Sequence, residues 1–275
     1  MPKPSSPGWG ADVDLRLRDR VAIVGGASQG IGYAIARTLA EEGAKVVISA
    51  RREPALSGAA ARIRAETGAA VVAVPADVRR AEDGARVVET AVREFGAVHV
   101  LVNNDGAPPI GRLQDFDDAA WARAVEQNLM SVVRMVRLVV PHMRAAGGGS
   151  ILNITGLSVI QPMVGFGLSV ATWAAVVGLA KTLSLELADD HITINTLCPG
   201  FINTTRLDKV FRRDAEARGQ DFGDFIGELT RSIPVRRLGT PEDIASMVAL
   251  LVSPRGSFVT GATIQVDGGS RQSLL

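Results

Sequence analysis

The sequence predicts one doubly wound α/β domain, a seven-stranded parallel sheet with helices on both faces. Three observations predict it. Seven short β-branched runs alternate with six longer segments that carry apolar residues at helical spacing. Most of the short runs are apolar without strict alternation, as strands covered on both faces must be. The first run leads straight into a glycine-rich turn and a helix, the opening of a βαβ unit.

The elements follow in order. Strands are expected at 21–24, 45–48, 70–74, 98–102, 150–154, 192–197 and 262–266. Helices are expected at 31–42, 54–67, 81–95, 117–145, 168–188 and 241–252. Residues 1–17 contain Pro2, Pro4, Pro7, Gly8 and Gly10 and no apolar run. They read as a loose arm and not as a secretory signal, which leaves 18–275 as the domain. Residues 203–234 hold no strand signal and many charges, among them Arg212, Arg213, Asp214 and Glu216. They are expected to form a helical lid over the sheet edge.

Composition bounds the function. Thirty basic and 29 acidic residues leave a formal charge of +1, which offers no electrostatic footprint for nucleic acid or acidic membranes. Cys198 is the single cysteine, so no disulfide framework or multi-cysteine metal site is available, and no metal is expected. The uncharged stretch 168–180 is shorter than the roughly 20 residues of a membrane span. A cytoplasmic protein is expected. Tyr33 is the only tyrosine, and the lysines are Lys3, Lys45, Lys181 and Lys209.

The turn reads Gly25-Gly26-Ala27-Ser28-Gln29-Gly30-Ile31-Gly32. Gly26, Gly30 and Gly32 permit a tight turn and close backbone approach to a pyrophosphate, which then faces a helix N-terminus. Ser28, Gln29 and Ile31 lie in the same turn. A glycine-rich turn alone could be an ordinary strand-to-helix loop; placed between the first strand and the first helix of a βαβ unit, it points to dinucleotide binding by a Rossmann fold. The second strand runs out at Arg51 and Arg52. An acidic residue there would hold the ribose of NAD; two arginines suit a 2′-phosphate, which favours NADP(H) over NAD(H). Two solvated arginines at a helix start would look the same. Asp77-Val78 is placed to accept from an adenine amino group or to cap a helix.

Gly26–Gly32, Asp77, Asn103-Asn104-x-Gly106, Asn128 and Pro199-Gly200 stand in the order and spacing of the short-chain dehydrogenases/reductases. The chain resembles a 3-oxoacyl-carrier-protein-reductase-like member from Leu17 to Gly269. The resemblance implies nucleotide contacts at Asn104, Pro199, Gly200, Ile202 and Thr204. It also implies dimer or tetramer assembly through the two long helices and the last strand. Gly25 stands where the family usually has threonine, and Asp105 where it has alanine.

The catalytic positions depart much further. The resemblance implies a tyrosine and a lysine four residues later, a serine 13 positions before the tyrosine, and an asparagine on the preceding helix. The tyrosine passes the proton, the lysine lowers its pKa and holds the ribose, and the serine polarises the carbonyl. Register from Ala175-Val176-Val177-Gly178-Leu179 puts Ser169 at the tyrosine, Trp173 at the lysine and Gly156 at the serine. Only Asn128 matches. No Tyr-x-x-x-Lys exists in the chain. A serine hydroxyl is a poor acid: its pKa lies close to that of bulk water, about five or six units above tyrosine's value of about 10, which is about 7–8 kcal/mol against proton transfer. Trp173 removes the ribose clamp. It can stack on a ligand, fill the emptied pocket, or simply pack.

Ligands of such sheets bind at the carboxyl ends of the strands. His99 and His191 open strands at the other edge, and His142 lies about 21 Å along the helix from Asn128. Asp105 lies at the correct end, where a partly desolvated carboxylate could shuttle a proton. It also fits an ordinary Asp-Gly turn. Thr155, Ser158, Gln161 and Asn128 could orient a carbonyl. Residues 161–166, Gln-Pro-Met-Val-Gly-Phe, point to a largely apolar small-molecule substrate. Three functions fit: an atypical NADP(H) oxidoreductase on a carbonyl/alcohol pair, a non-redox isomerase or lyase, and an inactive partner subunit in a hetero-oligomer with an active relative.

Overall fold

The computed structural model describes residues 13–104, 106 and 108–274. Seven strands form one parallel sheet in the order β3-β2-β1-β4-β5-β6-β7. They are β1 (Val21–Val24), β2 (Lys45–Ala50), β3 (Val71–Pro75), β4 (Val100–Asn103), β5 (Gly149–Ile154), β6 (Ile192–Pro199) and β7 (Thr263–Val266). The helices are α1 (Gly30–Glu41), α2 (Glu53–Thr67), α3 (Ala81–Phe95), α4 (Asp118–Val125), α5 (Ser131–Ala145), α6 (Gly167–Glu186), α7 (Thr205–Ala217), α8 (Phe222–Ser232) and α9 (Pro241–Val252).

The chain starts mid-sheet, winds out to β3, returns beside β1 as β4, and winds out the other way. β1 pairs with β4 through Ala22 opposite Val100 and Val24 opposite Val102. The loops leaving these two strands diverge, and the crevice between them is where such sheets take ligands. β1, β4 and β5 are buried along their whole lengths. Alternate strand residues feed two cores. Val24, Ile48 and Leu152 pack with Ile35 and Leu39 of α1, Leu56 of α2 and Ile244 of α9. Ile23, Leu101 and Ile151 pack with Val88 of α3, Val139 and Met143 of α5 and Val176 of α6. Local chemistry sets the helix ends. Thr240 and Asp243 close α9 with a reciprocal capping box, and α2 and α3 stop at left-handed Gly68 and Gly96.

Three expectations change. The loose arm does not reach Leu17: Leu17 is 1% exposed and Leu15 packs on the core. Two leucines in that stretch find apolar partners; residues 1–12 lie outside the described residues. The helix expected over 117–145 contains one wide turn, Glu126–Met130, between α4 and α5. Such an insertion leaves the apolar spacing readable and shifts only the local hydrogen bonds. The uncharged stretch at 168–180 continues through Lys181, so α6 has 20 residues and is long and apolar enough to cross a membrane by length and composition. A core helix of a parallel α/β domain has the same profile, and α6 packs on the sheet through Val176 and Ala180.

Residues 205–232 form α7 and α8, which carry a separate small core of Phe211, Ala215 and Phe225. Phe211 stacks edge-on against Phe201 with ring centres 5.9 Å apart, which ties this insert to the loop after β6.

Candidate functional site

A cleft of about 490 Å³ opens at the carboxyl ends of the strands. Gly26 and Gly30 both hold φ of +60°, the left-handed conformation that favours glycine. A β-carbon on Gly26 would fall on the Asn104 carbonyl oxygen. One on Gly32 would lie 2.5 Å from the Gly26 carbonyl oxygen and 2.6 Å from the Asn104 side chain. Asn104 in turn donates to the Gly25 carbonyl at 3.2 Å. The turn, the first helix and the loop after β4 therefore meet backbone to backbone. Thr204 caps α7 and sits against Gly30, its methyl 3.5 Å from where a β-carbon would be.

Arg51, Arg52, Asp77, Val78 and Arg79 line the cleft beside this turn. Arg79 Nε donates to Asp77 Oδ1 at 2.9 Å. The Arg79 guanidinium, helped by Arg51, holds the Asp77 carboxyl at about 2. Asp77 is thus an acceptor at neutral pH and never a proton donor there. Its backbone N–H donates to Asp83, which fixes the loop.

The opposite end is lined by Thr155, Gly156, Leu157, Ser158, Met163, Phe166, Trp173, Phe201, Arg206 and Leu207. Trp173 is half-buried, and its Cζ3 lies 3.0 Å from where a Gly156 β-carbon would be. Thr155 donates to the Leu197 carbonyl at 3.3 Å and contacts the buried Cys198 Sγ at 3.2 Å. Burial pushes the Cys198 thiol up and the Arg206 guanidinium down. Behind Trp173 is a second cavity of about 10 Å³, room for one water, lined by Asn103, Asn128, Asn153 and Trp173. Asn128 donates to Thr172 Oγ1 at 2.8 Å, and Asn103 donates to Asn153 Oδ1 at 2.9 Å. Asn128 Oδ1 and Asn153 Nδ2 have no hydrogen-bond partner.

The model of the family described as enoyl-(acyl carrier protein) reductase matches residues 26–271. The chain belongs to the short-chain dehydrogenase/reductase family. It is 36% identical over 259 residues to dehydrogenase/reductase SDR family member 4 of Oryctolagus cuniculus, covering 94% of this chain and 96% of the relative. L-Sorbose reductase from Gluconobacter frateurii, solved with NADPH and L-sorbose, superposes with a TM-score of 0.91 at 33% identity, covering 95% of this chain and all of that one. A 7α-hydroxysteroid dehydrogenase solved with NADH and 7-oxo glycochenodeoxycholic acid gives 0.87 at 31% identity, over 97% of this chain and all of that one.

As a short-chain dehydrogenase/reductase, the chain brings together most of the residues expected from its sequence. Gly26, Ser28, Gln29, Gly30, Ile31, Arg51, Arg52, Asp77, Val78, Asn104, Pro199, Gly200, Ile202 and Thr204 all line the cleft, as do Gly156, Ser158 and Trp173. Gly32 does not; it holds the turn against the helix from behind. Four expectations need correction or lie elsewhere. Ser169 is 3% exposed and off the cleft wall, because a hydroxymethyl group is too short to reach the cleft from the first turn of α6. Gln161 is exposed and does not line the cleft, to which its segment contributes Met163 and Phe166 instead. Asn128 lines the inner cavity and not the cleft; its neighbours Gly106 and Trp173 line the cleft in its place. Asp105 lies outside the described residues. Sequence reasoning missed Arg79 and Arg206. Arg79 follows Asp77-Val78 directly, and Arg206 follows Thr204 by two positions, so both were within reach of the motifs.

Proposed function

We propose that this chain binds NADP(H) and acts as an atypical oxidoreductase on a carbonyl/alcohol pair. The observation that carries this reading is that one cleft is lined both by a glycine turn that excludes a β-carbon at Gly26, and at Gly32 behind it, and by Arg51, Arg52 and Arg79. The glycine turn and the N-terminus of α1 would hold a pyrophosphate. The arginines would take the 2′-phosphate through charge-assisted hydrogen bonds. Bound there, NADP(H) would supply or accept hydride; the protein's part is to bind and orient it.

The proton is a separate matter. The ionisable residues among the described cleft wall are Arg51, Arg52, Asp77, Arg79 and Arg206. Arginines do not deprotonate in proteins, and Asp77 stays ionised. Solvent water or Asp105 is therefore the proton source in this reading, and turnover is slow. The same observation favours a second reading, a nucleotide-binding but inactive partner subunit of an active relative.

Calorimetric titration with NADPH and NADH tests the first step. NADPH is expected to bind at least about tenfold tighter, and Arg51→Ala with Arg52→Ala to erase the difference. Equal binding of the two nucleotides would remove the phosphate-reading role. NADPH oxidation with an activated ketone then separates the readings: slow turnover favours the oxidoreductase, and tight binding with no turnover favours the partner subunit.

A further inference from the structure

We propose that Gly156 and Trp173 are a matched pair that floors the inner end of the cleft with an indole, and that this floor binds a flat, electron-poor ring, the oxidised nicotinamide of the bound nucleotide. The proposal rests on the nucleotide reading above and adds what the altered catalytic end does.

Gly156 is not required by its backbone. Its φ of −169° is extended, a conformation open to any residue. It is required by close approach. A β-carbon there would meet Cζ3, Cη2 and Cε3 of Trp173 at 3.0, 3.6 and 3.7 Å. All three belong to the six-membered ring, so the benzo edge of the indole lies over the space where a side chain at 156 would begin. The glycine and the tryptophan therefore explain each other.

Trp173 is also the wall between two spaces. It lines the cleft and the cavity of about 10 Å³ that holds Asn128 and Asn153. That cavity has room for about one water, which leaves the indole little space to sink inward; Trp173 is half-buried and lines the cleft with the part left exposed. Leu157, Met163, Phe166 and Phe201 line the same cleft and add apolar surface to it. A flat ring can lie there without stranding a polar group. The indole face is the strongest aromatic partner for a cation. Oxidised nicotinamide carries a positive ring charge and the reduced ring carries none. The floor thus favours the oxidised form, by about three- to thirtyfold.

Three ligands titrated into the full chain test this: NADP⁺, NADPH and 2′-phospho-ADP-ribose, which lacks the ring. NADP⁺ is expected to bind about tenfold tighter than 2′-phospho-ADP-ribose, to bind about three- to thirtyfold tighter than NADPH, and to produce a broad long-wavelength charge-transfer absorbance; NADP⁺ binding no tighter than NADPH would overturn the preference for the oxidised ring. Trp173→Leu should remove the absorbance and equalise the two affinities; Trp173→Phe should keep part of both. Gly156→Ala, which adds one methyl, should also lose the absorbance by displacing the indole. Unchanged binding of 2′-phospho-ADP-ribose in these variants reports an intact fold. Equal affinity of NADP⁺ and 2′-phospho-ADP-ribose in the wild type, with no absorbance that depends on Trp173, overturns the proposal. If none of the three binds, the nucleotide reading fails, and 1-methylnicotinamide tests the floor alone. A Trp173-dependent absorbance with that cation would assign the floor to a substrate ring, and its absence would dispose of the floor as well.

Discussion

Gly156→Ser restores one catalytic group and should damage the protein when made alone. The first atom it adds lies 3.0 Å from Trp173 Cζ3, where carbon atoms prefer about 3.5–4.0 Å. Its hydroxyl extends the side chain further. The indole has nowhere to go inward, because the cavity behind it has room for about one water. Overpacking of this kind costs about 1–3 kcal/mol. For a chain near this size each kcal/mol lowers Tm by about 2–4 °C. Trp173→Lys removes the obstacle, so in that background the serine should cost little. The double-mutant cycle is expected to give a coupling of about 1–2 kcal/mol by thermal and urea unfolding. Strictly additive effects would refute the steric pairing. Adding Ser169→Tyr completes the restoration. The tyrosine enters a position only 3% exposed, so some stability is lost again. A phenol beside a lysine should nevertheless raise NADPH-dependent reduction of an activated ketone by about 10²–10⁴-fold. A folded, NADPH-binding triple variant with no gain would mean that the pocket has diverged beyond these positions.

Three further outcomes follow from the geometry. Gly32→Ala places a methyl 2.5 Å from the Gly26 carbonyl oxygen, so nucleotide binding should fall at least about tenfold, as calorimetry would record, with a loss of about 1–3 kcal/mol in stability; retained affinity would argue against the glycine turn as the pyrophosphate cradle. Asp77 and Asp243 titrate at about 2 in the folded chain, held down by Arg79 and Arg237, against about 3.9 when unfolded. Their contribution to stability is complete above about pH 4 and is lost as the pH falls through 2, so Asp243→Asn should flatten urea-unfolding stability over that window. Cys198 is buried with its thiol pKa raised, and it should resist alkylation until the chain unfolds, as mass spectrometry of partly denatured samples would record.

The fold was legible because its signals are local. All seven strand runs and the α3 and α9 boundaries follow from apolar period and turn residues. The wide turn at Glu126–Met130 was not, because an inserted i→i+5 bond leaves no mark in composition. Leu15 and Leu17 show the limit of reading a proline-rich start as loose: two leucines suffice when the sheet offers them a surface. At the candidate site, motif residues whose backbone does the work fell into place, since a glycine turn between strand and helix has few ways to fold. Side chains were less predictable. Ser169 and Gln161 hold the expected positions in the chain, yet one is buried, the other is exposed, and neither lines the cleft.

By itself, the sequence determined a parallel sheet of seven strands, a glycine turn between the first strand and the first helix, and the loss of the Tyr-x-x-x-Lys pair, because periodicity, glycine spacing and residue identity are all written along the chain; the order of the strands came from the tertiary structure. The tertiary structure alone decided what took the place of that pair. Gly156 and Trp173 are 17 positions apart, and nothing in either identity announces the other. Their pairing exists only as a distance of 3.0 Å across the end of the cleft, set by how α6 docks against the loop after β5. The same holds for Asn128, which matches the family in sequence and lines the inner cavity beside that indole, not the cleft. Close packing converts such distances into constraints, and distances between remote segments are a property of the fold.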